Sequence, residues 1–242
     1  MKTIKNISFI LILITLLGCS MNKSQVKENN QPMGADAVTG ATGVKFKVLA
    51  GGTYGGIVDN HEAQNIEGAS NVDAITGATK ISYNAGIHSV LKGHGRTIEM
   101  GLDYLRLAQS VEYDLPSLSV NGTRSFELHQ VRLPVTYNFE FFKNDLNQAK
   151  LALKIGFSAG YTFGKTITDS EDSENMPAYE FTDWGIGPAF GLCFYPLDFK
   201  QNYRLGLYLD FYRGRKIYED TYHEDLFLGD NSFMNFGILF QP

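Results

Sequence analysis

Leu151-Ala152-Leu153-Lys154-Ile155-Gly156-Phe157-Ser158-Ala159-Gly160-Tyr161-Thr162-Phe163-Gly164 is the stretch that decides the fold. Its apolar side chains Leu151, Leu153, Ile155, Phe157, Ala159, Tyr161 and Phe163 recur at a spacing of two, with Lys154, Gly156, Ser158, Gly160, Thr162 and Gly164 between them. A period of two sends alternate side chains to opposite faces of a β-strand, and a run of this length crosses a bilayer when tilted. Working outward, the same alternation marks strands over 44–58, 80–92, 96–113, 126–142, 151–165, 181–197, 203–217 and 232–240. The even number fits a closed ring. The connections alternate too: 93–95 is short, while 59–79, 114–125, 166–180 and 219–231 are long. Short periplasmic turns and long outer loops belong to up-and-down barrels of outer membranes. The expected fold is therefore all-β, an eight-stranded antiparallel up-and-down outer-membrane β-barrel with a flexible N-terminal tether.

Alternation alone does not say which face looks inward, because a soluble lipocalin-like barrel turns its apolar face in. The glycines decide in favour of a polar interior. Gly51, Gly55, Gly86, Gly101, Gly156, Gly160, Gly185, Gly187, Gly191, Gly206 and Gly237 lie on the polar face, and eight strands leave an interior so narrow that small residues are needed there. That face also carries both signs of charge, Lys45, Lys47, Lys92, Arg132, Lys154 and Arg204 against Glu99, Asp103, Glu140, Asp183 and Asp210. A paired network in the lumen is expected, with no open pore. Leu153, Ile155, Phe157, Leu205, Leu207 and Leu209 should face lipid. Tyr83, Tyr104, Tyr137, Tyr161, Trp184 and Tyr203 fall near strand ends on the apolar face, where interfacial girdles lie.

Composition agrees with a folded membrane barrel. Of 242 residues, 43% are hydrophobic, 13% aromatic and 19% charged, with a mean hydropathy of -0.15. After the N-terminus no apolar block is long enough for a helical span. Removing residues 1–18, which hold Lys2 and Lys5 and no acid, lowers 21 basic residues to 19 against 26 acidic ones. That balance argues against nucleic acid as a partner.

The N-terminus is a leader. Lys2 and Lys5 precede an apolar run from Ile7 to Leu17, and Leu16-Leu17-Gly18-Cys19 ends it. This resembles a bacterial lipoprotein signal, which implies cleavage after residue 18, a diacylglycerol on Cys19 and a lipid-anchored protein of the cell outer membrane. Residues 19–43 are polar and without periodicity, as a tether is, and residues 44–242 form the barrel domain.

Across 44–240 the chain also resembles the PorT-like outer-membrane β-barrel family. The resemblance lies at Phe46-Lys47-Val48-Leu49-Ala50-Gly51-Gly52, at Val131-Arg132-Leu133-Pro134-Val135-Thr136-Tyr137 and at Asp183-Trp184-Gly185-Ile186-Gly187. Such degenerate patterns imply the fold more than an activity.

One heptapeptide occurs twice. Asp36-Ala37-Val38-Thr39-Gly40-Ala41-Thr42 precedes the first strand, and Asp73-Ala74-Ile75-Thr76-Gly77-Ala78-Thr79 ends the first long loop. The copies differ by one methylene, and five specified positions match by chance at roughly one start site in a million. The repeat resembles the covalent flavinylation motif Asp-x-x-(Ser/Thr)-Gly-Ala-Thr of FMN-binding domains. The resemblance implies a flavin transferase as partner, FMN joined through its phosphate to Thr79 and Thr42, and an electron carrier with a redox partner of unknown identity. Asp73, Thr76, Gly77 and Ala78, with Asp36, Thr39, Gly40 and Ala41, make up the rest of the two sites. The alternative is a non-redox structural or assembly barrel without a cofactor, in which both heptapeptides merely introduce strands.

Other chemistry is not signalled. His61, His88, His94, His129 and His223 are scattered without ligand spacing, so no metal site is expected. There is no nucleophile elbow or phosphate loop, no catalytic residues are expected, and Cys193 is a small filler on the lumen face.

Overall fold

A computed structural model describes residues 43–58, 61–62, 73–93, 96–144, 148–199, 203–220 and 231–242. Cys19 and the first heptapeptide, Asp36 to Thr42, lie outside these residues. The described chain is built from strands Gly43–Gly56 (β1), His61–Glu62 (β2), Ala74–Lys80 (β3), Ser82–Gly93 (β4), Arg96–Leu115 (β5), Val120–Lys143 (β6), Ala149–Asp169 (β7), Tyr179–Phe181 (β8), Trp184–Phe199 (β9), Tyr203–Arg213 (β10), Tyr218–Asp220 (β11) and Ser232–Gln241 (β12). Eight of them close a ring in the order β5, β4, β1, β12, β10, β9, β7, β6, with β6 returning to β5. Every pairing in the ring is antiparallel. The last strand joins the first in unbroken register from Val48 opposite Phe240 to Gly56 opposite Ser232. The fold is an eight-stranded antiparallel β-barrel of the outer-membrane type.

The two faces do not keep one character along the strands. On β6 the outward side chains run Asn121, Thr123, Ser125, Glu127 and His129, then change to Val131, Leu133, Val135, Tyr137, Phe139 and Phe141. The inward ones change the other way, from Val120, Phe126 and Leu128 to Gln130, Arg132, Thr136 and Asn138. β5 inverts at the same level: Ile98, Met100, Leu102 and Tyr104 face out below, and Arg106, Ala108, Ser110, Glu112 and Asp114 above. The ring is thus a membrane barrel at the end of its short turns and a soluble barrel at the end of its long loops. From Val131 to Phe141, eleven residues inclined to the axis cover the hydrocarbon layer. Leu133, Val135, Phe139, Ile155, Phe157 and Leu207 lie exposed in this belt. Tyr83 meets Tyr104, and Tyr161 meets Trp184, at its upper margin, with ring centroids 6.0 and 4.7 Å apart.

A bulge marks the inversion on β7. Gln130 pairs with Thr162 and His129 with Gly164, so Phe163 is an extra residue, and beyond it the facing parity shifts until Ile167 packs inward. One inserted residue flips every side chain beyond it.

Several strand ends differ from the sequence expectation for this reason. Residues 74–79, expected as loop, are strand: β3 runs along β5 from Ala74 opposite Asp114 to Lys80 opposite Ala108, in line with β4. Likewise β5 continues to Leu115 and β6 starts at Val120, leaving a turn at Pro116–Leu118 and Ser119 with φ 55° where the sequence predicts a long loop. β10 stops at Arg213 short of the expected 217, and Tyr218 enters a small pair of β11 with β8. These extensions exist because Ile75, Leu105, Leu107, Val111, Tyr113 and Leu115 form a hydrophobic core inside the upper barrel with Ile57, Phe126, Leu128 and Tyr218. Full burial contributes about 1.5–3 kcal/mol per large apolar side chain. Arg124 ties the core's edge to the loop above: its guanidinium donates to both Asp169 carboxylate oxygens at 2.6 and 2.8 Å, to the Pro177 carbonyl at 2.9 Å and to Tyr218 Oη at 2.8 Å.

The inversion predicts opposite outcomes for two outward positions on one strand. Leu102→Arg in the belt should cost about 2–4 kcal/mol, whereas Ala108→Arg above it should stay within about 0.5 kcal/mol. Urea unfolding in phospholipid bilayers, followed by the different migration of boiled and unboiled samples, measures both. Equal costs at the two sites would contradict the face inversion.

Candidate functional site

Two places bring chemistry-bearing residues together: the polar lumen of the belt and the second heptapeptide at the loop end.

In the lumen, Glu99 on β5 is the hub. One oxygen accepts from Lys47 Nζ at 2.6 Å and from Asn138 Nδ2 at 2.7 Å, and the other meets His88 Nδ1 at 2.6 Å. His88 Nε2 in turn meets Asp103 Oδ1 at 2.7 Å. Lys154 lies 2.6 Å from Asp210 Oδ1 and 3.7 Å from Glu99. Strand alternation converges these side chains, since Lys47, His88, Glu99 and Lys154 all take inward positions on β1, β4, β5 and β7. The expected mixed-charge network therefore exists, with Lys92 paired to Glu140 and Arg204 stacked on Tyr195 at 3.8 Å. Asp183 is a correction: it lies half-exposed beyond the belt and accepts from Lys165 at 3.1 Å. The member missed in the sequence is His88. Its inward parity on β4 signalled a lumen position, but with no second histidine at ligand spacing it carried no motif.

Glycines give these side chains their room. A Cβ on Gly101 would stand 2.3 Å from the His88 ring, one on Gly86 2.0 Å from Asp103 Oδ1, and one on Gly191 2.0 Å from Asp210 Oδ1. The inward glycines read from the sequence thus serve particular charged partners. Filled in this way, the lumen holds ion pairs.

The second heptapeptide is woven into the upper wall. Asp73 accepts the Ser117 N–H at 3.1 Å and the Ser117 hydroxyl, which ties the start of β3 to the β5–β6 turn. Ile75 is buried in the upper core. Thr76 and Ala78 are exposed on the outer face, while Gly77 and Thr79 are half-buried on the inner one. β3 pairs with β5 along its whole length, and β2 pairs with Ala74 and Ile75. On the outer face, Lys80, Arg106, Ser110, Ser125, Glu127 and Thr166 line a hollow of about 170 Å³. Arg106 donates to Glu127 at 2.9 Å and holds that carboxyl below its usual range. Gly77 and Ala78 add no bulk beside Thr79, which is half-buried on the inner face, opposite Lys80 on the outer one. Among the described residues no group of three or more His, Cys, Asp or Glu side chains is arranged to hold a metal.

No protein-family model matches the chain, and no curated protein matches it. Among solved structures, the chain is similar to the outer membrane protein OprG from Pseudomonas aeruginosa at 10% identity over 85% of this chain and 99% of that one, with a TM-score of 0.49. It is also similar to the outer membrane protein AlkL in lipid bilayers at 11% identity, covering 90% of this chain and 97% of that one, with a TM-score of 0.39. The fold assignment rests on the chain's own closed pairing and belt.

Because Glu99 is the carboxylate that pairs with Lys47, its removal should leave that buried ammonium without its counter-charge, while His88 keeps Asp103 and Lys154 keeps Asp210. Glu99→Ala is expected to cost about 3–5 kcal/mol, and Gly101→Ala about 1–3 kcal/mol through overpacking against His88. Denaturant unfolding of both variants tests this. A Glu99→Ala barrel as stable as the parent would show that the network contributes nothing.

Proposed function

We propose that this protein is a lipid-anchored outer-membrane barrel that carries FMN covalently, on Thr79 and on Thr42, and passes electrons at the cell envelope. The observation that carries this reading is the recurrence of the heptapeptide, once before β1 and once along β3. The ring strands β5, β6, β7, β9, β10 and β12 form without such a segment, so strand entry does not require it. In this assignment Thr79 Oγ1 is the attachment atom, and Gly77 and Ala78 keep the approach open. FMN supplies one- and two-electron transfer when attached. The filled lumen supports a role in holding and presenting cargo over one in conducting solutes.

Gly43, next to Thr42, begins β1 at the short-turn end, whereas β3 stands at the loop end. The 14 residues of β1, at about 3.3 Å each, separate the two sites by roughly 45 Å of contour, too far for rapid direct transfer. The two flavins would serve partners on opposite sides of the membrane.

A second reading, a structural or assembly barrel without a cofactor, is favoured by Asp73 and Ile75, which have structural work of their own in the turn and the core. Co-expression with a flavin transferase separates the two. In denaturing gels the wild-type band should fluoresce, Thr79→Ala should lose at least half of the signal, and the double variant Thr42→Ala with Thr79→Ala should be dark. A dark wild-type band, in a host that flavinylates a control protein, leaves the structural reading. Mass spectrometry of the mature N-terminus should in addition find a diacylglycerol on Cys19, and an unmodified terminus from cleavage elsewhere would remove the lipid anchor.

A further inference from the structure

Arg132 is the lumen cation that the ion-pair network passes over. Its side chain is 2% exposed. Its hydrogen bonds are long: Nε to Ser158 Oγ at 3.2 Å, Nη1 to Gln130 Oε1 at 3.4 Å and Nη2 to the Ser158 carbonyl at 3.4 Å. Asp103, opposite it on β5, is turned away to His88, and among the described residues no carboxylate stands within ion-pair distance of the guanidinium. The rings of Tyr212 and Phe233 lie 3.4 and 4.8 Å from its central carbon. Ring stacking offsets part of the cost of a buried ion and leaves its charge uncompensated.

A cavity of about 40 Å³ adjoins it, lined by Arg132, His88, Asp103, Lys154, Asp210 and Asn235 among others. The charges around this cavity do not cancel. His88 stands between two carboxylates at hydrogen-bond distance, and with both ring nitrogens donating it is a cation. Lys47, His88, Arg132 and Lys154 then face Glu99, Asp103 and Asp210, one cation in excess.

We propose that the cavity beside Arg132 binds one small monovalent anion of chloride size. The remaining N–H donors of Arg132, together with Lys154 and Asn235 in the lining, hold it. The size argument is direct, since a space of this volume takes two or three water-sized bodies and no sugar or nucleotide. The single excess cation sets the charge. The site is independent of flavin attachment, because Thr79 lies on β3 outside the belt. An anion held here joins the wall at Arg132 on β6 to Lys154 on β7 and Asn235 on β12, so it binds only the folded barrel.

Thermal unfolding of the full-length protein in neutral detergent, in sodium chloride against sodium gluconate at equal ionic strength, tests the proposal. A ligand specific to the folded state lowers the unfolded-to-folded ratio at fixed temperature by up to tenfold per tenfold rise in its concentration above the dissociation constant. Wild type should show this in chloride and not in gluconate, and Arg132→Gln should respond alike in both. Crystals of wild type grown in sodium bromide should give an anomalous peak beside the Arg132 guanidinium, a readout that stands even where the variant fails to fold. Equal responses of wild type to chloride and gluconate, or waters alone in the cavity without a bromide peak, overturn it.

Discussion

Hydrocarbon offers no partner to an N–H or C=O group, so a strand in the belt must be hydrogen-bonded along both edges, and the chain meets that demand by joining its last strand to its first. The register between β1 and β12 runs from Val48 opposite Phe240 to Gly56 opposite Ser232. Within it Gly51 faces Gly237, and a Cβ on either would run into the opposing backbone, within 1.9 Å of the Phe236 carbonyl or 2.2 Å of the Ala50 carbonyl. Closing eight strands into a ring leaves little space inside, and the character of the lumen is a consequence of that crowding. Side chains must fill it, those on the polar face include buried charges, and most of these charges pair. Glu99 satisfies Lys47 and His88 together because the ring brings β1, β4 and β5 side by side.

The same ring meets two solvents. Where lipid surrounds it, the apolar residues face out and the interior is polar; where water surrounds it, the arrangement is reversed and Leu105, Leu107, Val111 and Tyr113 make an interior core. Both halves obey one rule, that apolar surface is removed from water. The transition is made at one level by several devices. β5 and β6 change residue type without changing parity, β7 inserts Phe163 as a bulge, and an aromatic margin with Tyr104 and Trp184 sits between the two zones. The upper core also caps the lumen below it.

That division sets the context of the second heptapeptide. Thr76 to Thr79 stand in the watery half, on a strand paired to β5 and anchored by Asp73 at Ser117 and by Ile75 in the core. The charged lumen, by contrast, is enclosed in the lower half, and any ligand it recognises must be small.

The sequence by itself determined the strand period, the number of ring strands, the lipid face and the inward glycines, because each is a property of neighbours along one strand: a period of two in Leu151 to Phe163 needs no knowledge of any other segment. It also displayed the heptapeptide repeat, which is local. It did not display the face inversion, since Leu105 and Leu107 have the same parity as Glu99 and Asp103 and only the ring shows that the first pair is inside in water and the second inside in lipid. For that reason the ends of β3, β5, β6 and β10 are not legible in it. Nor could it assign partners in the lumen. Glu99 and Lys47 are 52 residues apart, and Lys154 and Asp210 are 56 apart; only the order in which strands close the ring, together with the glycines opposite them, decides which charges meet and leaves Arg132 without a carboxylate.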